Sequence, residues 1–112
     1  MLVRKLDLAS FTQPTKDTEV YTIYDISIDG LLTISHTVLK PHQQTRGHTH
    51  AGQAETYQFM GQGQMKLGEE TFDVVSGDIV LIKDGIFHQV FNTTDEPLTF
   101  LCHFNGLPAR PK

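Results

Sequence analysis

One cysteine, Cys102, stands in 112 residues, so no disulfide can form within the chain, and that usage fits a reducing compartment. No apolar run approaches the roughly 20 residues needed to span a bilayer. Met1 to Leu8 lacks the long apolar stretch of a secretory signal. The expectation is a cytoplasmic protein with no membrane partner. Basic clusters are also missing: the net charge is −4, the acids are scattered, and no stripe of lysine or arginine is present. Nucleic acid is therefore not an expected partner. No stretch sustains a 3.6-residue apolar period, which excludes the helical classes. Internal repeats are lacking, and so is any linker long enough to separate domains.

What is present is a run of short β-type segments. Hydrophobic residues make up 38% and charged residues 20%, enough for one hydrophobic core. Val20–Ile28 is rich in β-branched and aromatic residues, Asp29-Gly30 is a hairpin signal, and Leu31–Leu39 returns. Glu55–Met60, Gln64–Leu67, Glu70–Val75, Ile79–Ile82, Ile86–Phe91 and Leu98–Phe104 follow, separated by Gly, Pro and Asp turns. Eight or nine such strands predict an all-β sandwich or barrel, closing most simply as a small double-sheet jelly roll. The layout is a single domain over 1–112: an N-terminal arm or edge strand over 1–19, a barrel over about 20–104, and a short basic tail over 105–112. Exposed edge strands and the long N-terminal segment lead us to expect a homodimer.

Six histidines are present. His48 and His50 sit two apart, a spacing that on a strand places both imidazoles on one side. Glu55 follows after Gly52, which lets the chain turn a carboxylate back towards the rings. Two imidazoles and a carboxylate suit a metal ion. His88 lies downstream on a segment where it shares a face with Val90. His36 shares a face with Ile34 and Val38, and is read as a buried core histidine or a cavity-lining base. Tyr57 and Phe59 share the face of Glu55 and are the expected walls of a pocket. Cys102 reads as a small core residue, and only one of Cys102 and His103 can face inwards.

Two motifs in this order resemble the cupins, over roughly Pro41 to Asn92. The first cupin motif is Gly, five residues, His-x-His, three or four residues, Glu, six residues, Gly; here it reads His48-Thr-His50, four residues, Glu55, with glycines at 61 and 63. The second is Gly, five residues, Pro-x-Gly, two residues, His, three residues, Asn; here it reads Gly77, five residues, Lys83-Asp84-Gly85, two residues, His88, three residues, Asn92. Three positions depart: His42 stands at the leading glycine, Lys83 at the proline, and Gly61 falls one residue early. The resemblance implies a double-stranded β-helix with His48, His50, Glu55 and His88 as four protein ligands of a metal.

Imidazoles suit iron, nickel, copper or zinc, and the carboxylate favours manganese or iron. Four protein ligands would close a tetrahedral zinc site, whereas an octahedral ion keeps two positions open. Iron(II) is the first expectation and manganese(II) the second. The implied function is metal-dependent action on a small molecule in the barrel, with dioxygenase chemistry ahead of sugar-phosphate isomerase or lyase chemistry. A non-catalytic small-molecule or sugar-binding module is the alternative of a different class. For a phosphosugar, Arg46 and Lys83 are the basic residues to consider.

Overall fold

A computed structural model describes residues 12–106. Its nine strands are β1 (Lys16–Asp17), β2 (Tyr21–Ile28), β3 (Leu32–Leu39), β4 (Glu55–Met60), β5 (Gly63–Leu67), β6 (Glu70–Val74), β7 (Ile79–Ile82), β8 (His88–Phe91) and β9 (Leu98–Asn105). They form a six-stranded sheet in the order β1-β2-β3-β9-β4-β7 and a three-stranded sheet in the order β6-β5-β8. All the ladders are antiparallel. Asp29 and Gly30 both take positive φ, 54° and 68°, in the three-residue connection 29–31, where the Leu31 amide closes a turn on the Ile28 carbonyl at 3.0 Å. Among the described residues there is no helix long and apolar enough to cross a membrane.

Alternation sets which side chains meet between the sheets. Tyr57, Phe59, Leu98, Phe100, Cys102 and Phe104 come inward from the large sheet and pack with Met65 and Val90 of the small one. The inward face of β3 is the surprise. Thr33, Ser35, Thr37 and Leu39 face the interior, while Ile34, His36 and Val38 lie on the opposite side. Burying hydroxyls is tolerable here because they are bonded: Thr33 donates to the Gly106 carbonyl at 2.6 Å, and Ser35 donates to the Asp25 carboxylate. His36 is thus corrected from a cavity candidate to a buried residue on the outer face of the large sheet. There its ring stacks on Tyr24 at 5.8 Å, and burial pushes its imidazole below the ordinary value.

Several segment limits also shift. The last of the expected β-segments before Asn92 starts at His88, not Ile86, because the Ile86 amide closes a turn on the Lys83 carbonyl at 3.2 Å. The arm expected over 1–19 is described only from residue 12, where β1 forms the short edge beside β2; 1–11 and 107–112 lie outside the described residues.

The departures from the motif pattern have physical explanations. His42 takes φ 59°, so the motif glycine's position does demand the left-handed region, which is costly for a residue with a Cβ. An exposed 2.5 Å pair between His42 Nε2 and Asp95, and a 3.3 Å bond from the His42 amide to the Thr94 carbonyl, hold it there. Exposed pairs of this kind contribute about 0–1 kcal/mol. Asn92, the closing motif residue, is a buried clamp. Its side-chain amide donates to the Leu39, Lys40 and Glu96 carbonyls at 3.0, 3.2 and 2.7 Å, tying the end of β8 to the end of β3.

Replacing His42 tests the backbone argument by urea unfolding. His42→Val should lower stability by about 1–2 kcal/mol, since a β-branched side chain is disfavoured at positive φ. His42→Gly should leave stability unchanged or higher. Equal losses in both variants would show that the surface pair, not the backbone, governs this position.

Candidate metal centre

The His-x-His pair does not lie on a regular strand. Gln44 bridges Phe91 and His48 bridges His88, so three residues (45–47) face only two (89–90). This is a β-bulge, and it re-aims the chain. Had regular pairing continued from Gln44 and Phe91 without the bulge, His48 would fall opposite Phe87, on the wrong face. Gly47 makes the bulge fit: a Cβ there would stand 2.1 Å from the Phe87 ring. The two imidazoles do come together as the spacing implied, but from an isolated bridge and the loop after it, not from one regular strand.

Past the bulge, His48 and His88 exchange backbone hydrogen bonds of 3.2 and 3.0 Å. Their rings meet at 4.5 Å between centroids, and His50 joins at 4.4 Å from His48 and 5.3 Å from His88. The ligand nitrogens of His48, His50 and His88 all lie within 4.8 Å of one another. Glu55, at the start of β4, reaches two of the three. Its Oε1 is 3.0 Å from His88 Nε2 and 3.7 Å from His50 Nε2. The early Gly61 does not displace Glu55, because its inward direction is set by alternation along β4 and not by the turn that follows.

The second ring nitrogens are tied back. His48 Nδ1 bonds the Arg46 carbonyl at 3.0 Å, and His88 Nδ1 bonds the Ile86 carbonyl at 3.1 Å. Such bonds fix the tautomer that leaves Nε2 facing the cluster, the arrangement found around metal-ligating histidines. His88 Nε2 and Glu55 Oε1 are fully buried yet lack an aligned hydrogen-bond partner among the described residues, despite their 3.0 Å separation. Buried polar atoms left so are costly unless something else engages them. The donor set therefore fits a divalent ion. His48 sits nearest solvent, but desolvation still pushes its imidazole below the ordinary value, with the neighbouring His88 and His50 acting the same way; the Arg46 carbonyl and Glu55 pull against this.

The loop between His50 and Glu55 is latched at two points. The Gly85 amide donates to the His50 carbonyl at 2.8 Å, and the Asp84 carboxylate accepts from the Gly52 amide at 2.6 Å. Gly52 and Gly85 both take positive φ, 76° and 78°. Gln53 donates to the Asn105 carbonyl at 2.7 Å. Gln89 likewise bonds the Thr45 carbonyl at 2.8 Å.

A cavity of about 1000 Å³ opens beside the histidines, lined in part by Tyr57, Phe100, Phe104, Ile23 and Thr37. Tyr57 takes the wall position expected of it, 5.6 Å from the His88 ring. Phe59 does not: it shares the face of Glu55 but lies further along β4 in the closed core, fully buried. Cys102 lines the cavity, and His103 takes the outer face. Arg46 lines it and Lys83 does not; Lys16, which carries no motif signal, does. Asp84 was the other residue missed, although an Asp-Gly turn inside the second motif was visible.

The family model described as a cupin domain matches residues 35–104. The chain belongs to the cupin family. No curated protein matches it in sequence. Among solved structures it is similar to TT1209 from Thermus thermophilus (TM-score 0.80, 20% identity, covering 95% of this chain and 100% of that one). It also resembles a predicted oxalate decarboxylase from Thermotoga maritima (0.78, 20%, 96% and 100%). A third is an uncharacterized conserved protein with a double-stranded β-helix domain from Klebsiella pneumoniae (0.81, 18%, 97% and 95%). At these identities the likenesses establish the double-stranded β-helix fold.

The Asp84 latch predicts a graded effect on ion binding. Titrating metal-free protein with cobalt(II), followed by visible absorption, should show Asp84→Ala binding about tenfold or more weaker, with Asp84→Asn recovering most of the loss. The thermal midpoint of both metal-free variants should stay near wild type. Weaker binding that merely tracks a lower midpoint would mean the latch is structural only.

Proposed function

We propose that the chain is a metal-dependent enzyme acting on a small molecule held in the barrel cavity, with His48, His50, Glu55 and His88 as the metal ligands. The observation that carries this reading is the convergence of three imidazoles, two of them with Nδ1 fixed on backbone carbonyls, beside a buried carboxylate. Iron(II) is the first choice and manganese(II) the second, with zinc, nickel or copper compatible with the imidazoles. When bound, the ion supplies Lewis-acid or redox chemistry. The protein contributes a frame held by backbone bonds, the apolar wall of Phe100 and Phe104, and the aromatic face of Tyr57 beside His88. A single buried cysteine among the described residues fits a reducing, cytoplasmic setting.

Dioxygenase chemistry is the leading reaction type, because four protein ligands leave an octahedral ion two positions. Isomerase or lyase chemistry on a phosphorylated sugar is the second reading, favoured by Arg46 and Lys16 in the cavity lining. The non-catalytic binding module makes a different claim: ligand binding that survives loss of the histidines.

Metal analysis of protein purified without chelators or an affinity-column metal tests the core of the proposal. Wild type should carry iron or manganese near one equivalent, and His50→Ala only a trace. Trace amounts in both would end the metal reading, and unchanged small-molecule binding in His50→Ala would favour the binding module.

We further propose a homodimer. The outer face of the large sheet exposes Leu32, Ile79 and Leu81, apolar side chains that a second copy would cover. Light scattering coupled to size exclusion should give about twice the chain mass; a monomer would overturn it.

A further inference from the structure

We infer that the cavity takes an amphiphilic anion, a molecule with an apolar body and one anionic oxygen group read by Lys16 and Arg46. This names a substrate class for the site just proposed and rests on the cavity being the substrate site. Size comes first. At about 1000 Å³ the cavity has the scale of pockets that enclose drug-sized ligands. A two-carbon diacid such as oxalate would occupy a small fraction of it and leave Ile23, Phe100 and Phe104 uncovered.

Charge comes second. Among the described residues Glu55 is the one acid in the lining, and it belongs to the histidine cluster, its Oε1 3.0 Å from His88 Nε2 and 3.7 Å from His50 Nε2. Lys16 and Arg46 have no such counterpart: among the described residues every ion pair is between a histidine and a carboxylate. Two unmatched cations lining one cavity run against a chain whose net charge is −4. An anionic ligand would supply the missing partner through charge-assisted hydrogen bonds.

Position comes third. Lys16 is held in β1 by pairing with Ile23, itself a lining residue, and its Nζ lies 5.5 Å from the centre of the Tyr21 ring. Arg46 sits in the bulge, its carbonyl bonded to His48 Nδ1. The two cations thus come from different elements of the fold, with aromatic and aliphatic side chains also in the lining. A ligand carrying both characters matches this lining; a neutral sugar or a bare apolar molecule matches half of it.

Two fluorescent probes with the same aromatic body test the inference: 8-anilino-1-naphthalenesulfonate, which is anionic, and N-phenyl-1-naphthylamine, which is not. Both are titrated against metal-free wild type and the double variant K16Q/R46Q, so that attraction to a metal plays no part. The double variant should bind the anionic probe about tenfold or more weakly and the neutral probe as before. Equal effects on both probes, or none on either, would overturn the inference. Competition by 4-phenylbutanoate and by phenyl phosphate then separates carboxylate from phosphate; failure of both to displace the anionic probe would also overturn it. Metal content of wild type and double variant is measured in parallel. Metal retained with unchanged probe binding sinks the anion class alone, whereas no metal in wild type sinks the underlying reading instead.

Discussion

Two backbone hydrogen bonds between His48 and His88 join the two halves of the site, which are forty positions apart in the chain. Everything else around the cluster depends on that pairing. It places two imidazoles on one side of a ladder and sets the register from which the next turn of chain delivers His50. The bulge at 45–47 is the condition for it, since only by absorbing the extra residue does the chain bring His48 opposite His88. The latch from Asp84 and Gly85 then carries the same registration to the loop before Glu55. Four side chains drawn from a bulged segment, a loop and two different sheets are thus held by main-chain geometry, which long side chains alone could not hold so closely.

Much of this was legible in the amino-acid sequence. Strand limits within a residue or two followed from β-branched runs and Gly or Asp turns, and both motifs could be counted out residue by residue. Facing was harder. For β4 alternation from Glu55 correctly grouped Tyr57 and Phe59, but alternation fixes a side and not a depth, so Phe59 lies in the closed core while Tyr57 meets the cavity. For β3 the apolar appearance of Ile34 and Val38 pointed to the wrong face, because Thr33 and Ser35 find partners only the folded chain supplies. The bulge could not be read at all. It exists as a mismatch between two segments, and neither segment alone contains it.

The positions that depart from the family pattern separate backbone demands from side-chain demands. His42 keeps the left-handed conformation of the glycine it stands in for, so the requirement there is conformational. Gly63 is different: a Cβ would come within 2.6 Å of the Phe91 carbonyl and of Leu98, so the requirement is space at a strand crossing. Lys83 occupies the proline position and still closes the turn, because the left-handed Gly85 and the Ile86 bond do the shaping. A motif letter can be exchanged where another contact takes over its task, and not where it is the absence of atoms that matters.

The cavity walls have a different origin from the ligand frame. Ile23 and Thr37, along with Lys16, come from β1 to β3, which contribute none of the four candidate ligands. The four candidate ligands, by contrast, all fall within residues 48–88. Part of the lining therefore comes from a stretch of chain that holds no candidate ligand, while Arg46 and Tyr57 belong to the ligand-bearing stretch. Substitutions over the first three strands would reshape the cavity while leaving the histidines in register. Such a division gives a lineage room to reshape the cavity without rebuilding the histidine cluster, a form of evolvability already present in how the first hairpin is laid against the rest.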